Sequence, residues 1–140
     1  MGLFLSIIIF NAPPIKLKEI KTLYIIRMSE RLDLNDKQLE KLIPLFTKRV
    51  ELEYKLKFKR RQFLLKIHRK LRRGITDKEA KVLLDSLILW EKNWFKVLQN
   101  SREEIFKYLT PKQKLLFLLA EGAIKQELIK KNINRKRRNK

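Results

Sequence analysis

The sequence has no cysteine and a single histidine, His68, among its 140 residues. Without cysteine there is no disulfide framework, no thiolate nucleophile and no cysteine-ligated metal site. The three glycines, Gly2, Gly74 and Gly122, lie far apart, so the chain has no glycine-rich loop that could hold a phosphate. These absences argue against an enzyme, and we expect neither a cofactor nor a metal.

Turn-forming residues are scarce as well, with only 3 glycines and 4 prolines in the whole chain. A sandwich, a barrel or a doubly wound sheet needs a turn roughly every dozen residues. The sequence is nevertheless 44% hydrophobic, which is more than a disordered basic chain would carry. The composition therefore predicts one folded, all-α domain.

Three stretches match the capping box that begins many helices: Asn35–Gln38, Thr76–Glu79 and Thr110–Gln113. In such a box a short polar side chain accepts a hydrogen bond from the first helical turn, and a Glu or Gln three residues later bonds back. Each stretch opens a segment whose apolar residues recur every three or four positions. The predicted helices cover residues 17–32, 36–73 and 77–108, with a last helix from Thr110 to about residue 131.

The two long helices are separated only by residues 74–76, so we expect them to fold back on each other as an antiparallel hairpin. The shorter helices flank this hairpin. The predicted organisation is an apolar N-terminal segment over 1–16, a helical hairpin domain over 17–131 and a basic tail over 132–140, which we expect to be frayed.

A single hairpin of this length cannot cover its own apolar surface. Five consecutive apolar residues, Leu115–Leu119, occupy nearly all sides of the last helix, and Trp90, Trp94 and Phe95 cannot share one face. Burial of this surface requires a second chain, so the sequence predicts a homodimer. We expect the three aromatic residues in the core or in the dimer interface.

The apolar run Leu3–Phe10 is too short to span a bilayer as a helix but is as long as the core of a secretory signal peptide. No Lys or Arg precedes it, which is atypical of such a signal. The alternatives are a buried N-terminal arm and an uncleaved anchor.

The segments LNDKQ (34–38) and LTPKQ (109–113) resemble the two LTxxQ motifs of the Spy/CpxP superfamily of envelope stress proteins and their metal-sensing relatives. The second segment matches fully, whereas the first has Asn in place of Thr. The resemblance covers roughly residues 17–131, which is most of the chain. Helix capping alone accounts for most of the motif. Its six residues are Leu34, Asn35, Gln38, Leu109, Thr110 and Gln113.

The resemblance implies a hairpin that dimerises into a cradle-shaped, all-α body in the periplasm, where a basic concave face with apolar patches holds unfolded chains without ATP. Residues 51–75 fit this picture, since they contain ten Lys or Arg and two acidic residues among leucines and aromatics. His68 has no His, Cys or Met within one helical turn, so no metal site is expected. The candidate residues for binding unfolded or acidic clients are Lys55, Lys57, Phe58, Arg60, Arg61 and Phe63.

The main alternative is a cytoplasmic, basic helical protein that binds nucleic acid. The net charge of +20 and the run RKRR at 135–138 favour it. Against it, no helix-turn-helix or zinc-finger signature is present, and basic residues occur in every helix. A third alternative is attachment to the surface of an anionic membrane through the tail and the N-terminal apolar run.

Overall fold

A computed structural model of the chain describes residues 16–138, which form four α-helices. No strand occurs in this range, which confirms the predicted all-α fold. Of the predicted N-terminal segment 1–16, all but the last residue lie outside the described residues. In chain order the helices are α1 (Leu17–Leu32), α2 (Asp36–Arg73), α3 (Asp77–Phe106) and α4 (Pro111–Arg138).

Two of the helices begin with complete capping boxes. The Asn35 side chain accepts a hydrogen bond from the Gln38 amide at 2.8 Å, and the Gln38 side chain accepts one from the Asn35 amide at 3.2 Å. Thr110 and Gln113 repeat this exchange at the start of α4, with distances of 3.2 and 3.0 Å. Because these bonds satisfy amides that a helix leaves unpaired, the starts of α2 and α4 are fixed locally.

The turn between α2 and α3 is as short as the sequence predicts. α2 ends at Gly74, whose φ of 86° is a conformation that favours glycine. Thr76 then begins α3, where its hydroxyl accepts a hydrogen bond from the Glu79 amide at 3.2 Å. α3 ends at Phe106, two residues before the predicted end.

The last helix is longer than predicted, since α4 continues to Arg138 rather than ending near Lys131. Arg135 lies 2.7 Å from the carboxylate of Glu19 and so connects this end of α4 to the first turn of α1. The segment predicted to be a frayed basic tail is therefore, over its described part, a helical continuation of α4 with Arg135 beside α1.

The buried apolar residues form one cluster, to which all four helices contribute. It lies where α1 and α4 pack beside the first part of α2 and the last turn of α3. Within it the Phe46 ring meets the Tyr24 ring edge-on at 5.7 Å and stacks on the Phe117 ring at 6.4 Å. The buried apolar residues are Tyr24, Met28, Leu32, Leu42, Phe46, Val50, Ile105, Leu109, Phe117, Ala120 and Ile124.

Beyond this core, α2 and α3 continue together without burying any residue, since none between positions 51 and 104 is buried. Arg49 donates a hydrogen bond to the Leu98 carbonyl at 2.9 Å, and further along α2 Arg60 lies 3.5 Å from the carboxylate of Glu91. We call residues 51–73 of α2 and 77–104 of α3 the arm.

Candidate functional site

The two helices of the arm differ sharply in charge. Residues 54–73 of α2 contain ten Lys or Arg and no acidic residue. Residues 77–104 of α3 contain six acidic and five basic residues, so their charges nearly cancel. Since the arm has no buried residue, this stretch of α2 presents a concentrated positive field to the solvent.

The six predicted client-binding residues all lie on the arm, but they do not share one face. Lys55 and Lys57 are two positions apart, which places them roughly 200° apart around the helix. Lys57 and Arg60 are three positions apart and lie on the same side. Exposed residues of the six are Lys55, Lys57 and Phe58, and partly buried ones are Arg60, Arg61 and Phe63.

Arg60 lies at a shallow cleft of about 420 Å³ between the two helices of the arm. The other lining residues are Glu91, Trp94, Phe95 and Leu98, so the cleft combines one ion pair with apolar and aromatic walls. Phe95 is 68% exposed, which is unusual for a residue of this size and polarity. A side chain from another polypeptide could contact an aromatic ring and a guanidinium group here at once.

The tryptophans next to this cleft are only half-buried. Trp90 and Trp94 pack on each other with ring centroids 5.3 Å apart. The indole nitrogen of Trp94 is buried and has no hydrogen-bond partner among the described residues. Of the two positions expected for these aromatics, the core is excluded, because no residue of the arm is buried, and the dimer interface stays a prediction.

Lys57 borders a second groove, of about 220 Å³, between the arm and α4. Val50 and Ile124 belong to the buried core and also line the groove, whereas Tyr54 and Ile129 are exposed beside it. Apolar floor and cationic rim therefore occur together again. This groove could not be predicted from the sequence, since its walls come from three separate helices, α1, α2 and α4.

The six motif residues come together at the opposite end of the molecule from the arm's turn. The Gln38 and Gln113 side-chain amides donate to each other's carbonyl oxygens at 2.8 and 3.3 Å. Gln38 also donates to the Tyr108 carbonyl at 2.9 Å, and Gln113 donates to the Leu32 carbonyl at 3.2 Å. The two motifs thus join the ends of all four helices. The side-chain amides of Gln38 and Gln113 make all of these hydrogen bonds within the protein itself.

A buried polar cluster that the sequence analysis did not identify connects the helices at the base of the arm. Glu121 accepts hydrogen bonds from Arg49 at 2.7 and 2.9 Å and from the Tyr24 hydroxyl at 2.8 Å. Arg49 is only 5% exposed and also donates to the Leu98 carbonyl. This network therefore joins all four helices: α1, α2 and α4 contribute one side chain each, and α3 contributes one backbone carbonyl.

Burial perturbs the ionisation of this cluster. Burial and the neighbouring Glu121 carboxylate raise the pKa of Tyr24 well above its ordinary value of 10.0. Burial by itself lowers the pKa of Arg49, but the hydrogen bond and charge of Glu121 outweigh it, so this pKa is raised. Tyr24 is therefore a neutral phenol and Arg49 a cation at neutral pH.

His68 is half-buried on the arm. Nowhere between residues 16 and 138 do three or more His, Asp or Glu side chains gather in a way that could hold a metal ion. Within the same part of the chain, no helix has both the length and the apolarity needed to cross a bilayer.

Comparison of the chain with protein-family models, with curated proteins and with solved structures finds no match. The resemblance of the two cap motifs to the Spy/CpxP superfamily therefore stays a prediction.

Proposed function

We propose that the chain is an ATP-independent chaperone that holds unfolded polypeptides, and that the arm is its binding surface. The observation that carries this proposal is that the arm buries none of its residues between positions 51 and 104. A monomeric protein rarely leaves large apolar side chains exposed along two whole helices unless another molecule covers them. The exposed large apolar residues of the arm are Tyr54, Phe58, Leu71, Val82, Leu84, Ile88, Leu89, Phe95 and Val97.

The composition of the arm suits weak binding to many different chains. The ten cations of residues 54–73 attract acidic segments over a distance of about 10 Å at moderate salt. Exposed aromatic and aliphatic side chains then contact the apolar groups of the captured segment. Neither interaction requires a particular client sequence, which is the property that a chaperone of this kind needs.

The proposal includes the architecture and location that the family resemblance implies. In it, α2 and α3 form an antiparallel hairpin, two copies form a cradle, and the protein works in the periplasm as a chaperone or stress-response adaptor. The contacts of Arg49 with Leu98 and of Arg60 with Glu91 support the hairpin, because the contacts move forward along α2 and backward along α3.

The test is suppression of aggregation. Purified protein without ATP is added in severalfold molar excess to reduced α-lactalbumin, an acidic unfolded chain, and light scattering is followed. We expect the scattering to fall. Scattering that does not change at this excess contradicts the proposal.

A charge variant shows whether the arm performs the capture. Replacing Lys57, Arg60 and Arg61 together by Gln removes three positive charges from the arm and should slow capture severalfold at low salt. The effect should shrink at high salt, where the wild-type charges are screened as well. Equal slowing at all salt concentrations would contradict electrostatic capture.

The matched control removes the same charge elsewhere. Lys41, Lys107 and Lys112 are exposed at the core end of the molecule and far from the arm's turn. Their replacement by Gln should leave the capture rate within about twofold of wild type, since charges farther away than a Debye length contribute little. If this variant slows capture as much as the arm variant, net charge rather than the arm is responsible.

Nucleic-acid binding is the second candidate function, and the ten cations without an acidic residue on one helical segment favour it. It predicts tight binding of duplex DNA at low salt, with affinity that falls steeply as salt rises. It also predicts that DNA displaces a captured client. Client capture that an excess of DNA does not reduce would favour the chaperone.

A further inference from the structure

A row of exposed residues runs along the outer side of α4, opposite the face that enters the core. Neighbouring members of the row are separated by four, three, four, three and four positions. All six are exposed, the large ones strongly: Leu115 67%, Leu119 74%, Gly122, Gln126, Ile129 59% and Ile133 45%. We call these six residues the α4 seam.

Alternating steps of three and four are the spacing by which one helix packs along another in a coiled coil. The other side of α4 already packs in the core through Phe117, Ala120 and Ile124. A helix that is apolar on two opposite sides needs a neighbour on each. Among the described residues, the neighbour on the seam side is missing.

We infer that a second copy of this chain covers the α4 seam, with the two α4 helices antiparallel about a twofold axis. This inference rests on the homodimer of the proposed function and names its interface. The seam contains no residue of the arm, although its Ile129 also lines the groove beside Lys57.

The order of residues in the seam supports self-pairing in this direction. In antiparallel alignment, Leu115 lies opposite Ile133 of the second copy and Leu119 lies opposite its Ile129. Gly122 then faces Gln126, the one long polar side chain of the seam. A Cβ at Gly122 would have nothing within 4 Å, so there is space for the Gln126 side chain. The pairs run over 18 positions, or about 27 Å of helix.

Parallel pairing fits less well for reasons of size and charge. It would place the two Gly122 residues opposite each other, leaving a gap in the seam. It would also bring Lys125 of each copy close to Lys130 of the other, twice. In the antiparallel pair the two Lys125 residues approach each other only once, next to the axis. The ion pair of each with Glu53 of its own chain, at 3.3 Å, offsets this charge.

Each copy carries a net charge of +20, so two copies repel each other over the whole molecule. Salt screens this repulsion but does not weaken apolar contacts. The interface therefore predicts a dimer whose affinity increases with salt, whereas binding of an acidic partner would weaken.

Sedimentation of the full chain at micromolar concentration tests the interface. We expect a dimer for the wild type and a dissociation constant at least about 100-fold higher for Leu119→Glu, since a carboxylate would face Ile129 twice in the interface. Ile26→Glu is the matched control, because Ile26 is exposed on α1 outside the seam. It should remain a dimer.

A monomeric wild type overturns the inference. So does a Leu119→Glu variant that dimerises as well as the control, because the interface would then lie elsewhere. Circular dichroism at the same concentration checks that both variants keep the helical content of the wild type.

Disulfide trapping tests the direction of pairing on a background without native cysteine. Chains with Leu119→Cys and chains with Ile129→Cys are mixed in reductant and then oxidised. Antiparallel pairing predicts a mixed disulfide, whereas the 119 positions of two copies lie about 15 Å apart. Efficient cross-linking of Leu119→Cys with itself would indicate parallel pairing and overturn the inference.

The interface and the proposed function fail separately. Sedimentation and trapping decide the interface, and suppression of aggregation decides the chaperone. A chain that dimerises through the seam but does not suppress aggregation retains the first and loses the second.

Discussion

Removing the carboxylate of Glu121 is expected to destabilise the protein more than any change to an exposed ion pair. Glu121→Leu deletes the acceptor of three hydrogen bonds and leaves the guanidinium of Arg49, 5% exposed, with only the Leu98 carbonyl. Breaking a buried ion pair by removing one partner costs about 3–5 kcal/mol. Against a total stability of about 5–15 kcal/mol this is a large fraction.

The double variant Arg49→Met/Glu121→Leu should be less damaged than Glu121→Leu alone. It contains no unpaired buried charge, but it leaves the buried Tyr24 hydroxyl without its acceptor. Such groups cost about 1–3 kcal/mol when buried. The two substitutions should therefore be strongly non-additive, as expected for groups in direct contact.

Urea unfolding followed by circular dichroism measures these differences, with every variant at the same protein concentration because a dimer's stability depends on it. With a slope of about 2 kcal/mol per molar, Glu121→Leu should lower the midpoint by roughly 2 M. Glu127→Leu breaks the partly exposed pair with Arg27, at 3.2 Å, and should leave the midpoint nearly unchanged. A Glu121→Leu midpoint within about 0.5 M of wild type would show that losing the partner of buried Arg49 does not cost the expected free energy of unfolding.

Two further predictions concern single hydrogen-bonding groups. Tyr24→Phe should cost about 1 kcal/mol at neutral pH. The pKa of Tyr24 in the folded chain is raised above 10.0. The stability that the neutral Tyr24 phenol contributes is therefore fully present below pH 10.0. It is lost at higher pH, where Tyr24 ionises first in the unfolded chain. The melting temperature should therefore fall less steeply between about pH 9 and about pH 11 for Tyr24→Phe than for wild type. Equal slopes for the two proteins would contradict this. Gln38→Ala removes one half of a capping box and the bonds to Gln113, so we expect a loss of about 1–2 kcal/mol in urea unfolding, with exposed Gln99→Ala nearly silent as its control.

The starts of the helices could be predicted from the sequence because their causes are local. Asn35 and Gln38 are three residues apart, and their exchange of hydrogen bonds needs no other part of the chain. The same holds for Gly74, where one residue with positive φ ends α2. Such features survive any tertiary arrangement of the helices.

The partners of buried polar groups could not be predicted in this way. Glu121 lies between the apolar residues Phe117 and Ile124 on one face of α4, a position that hints at burial. Its partner Arg49, however, is 72 positions away, and only packing of α2 against α4 brings the two together. The Gln38–Gln113 contact is hidden for the same reason, although each glutamine was identified as a cap.

The run Leu115–Leu119 shows how far composition can lead. Its five apolar residues predict that α4 is apolar on several sides, but not which side faces the core. Packing buries Phe117 and leaves Leu115 and Leu119 exposed. The predicted end of α4 comes too early, because the basic residues 132–138 are typical of a frayed tail. The contact that holds this segment, between Arg135 and Glu19, joins residues 116 positions apart and so cannot be seen in the local sequence.

Hydrogen–deuterium exchange with and without an unfolded client shows directly whether the arm is the client-binding surface. Because no residue between positions 51 and 104 is fully buried, the amides of this range should exchange faster than those of the core helices in the free protein. Addition of reduced α-lactalbumin should slow exchange in peptides from residues 51–104 and leave those of α1 unchanged. Slowing confined to α1 or α4, or no slowing at a client concentration that saturates binding, would contradict the assignment of the arm as the client-binding surface.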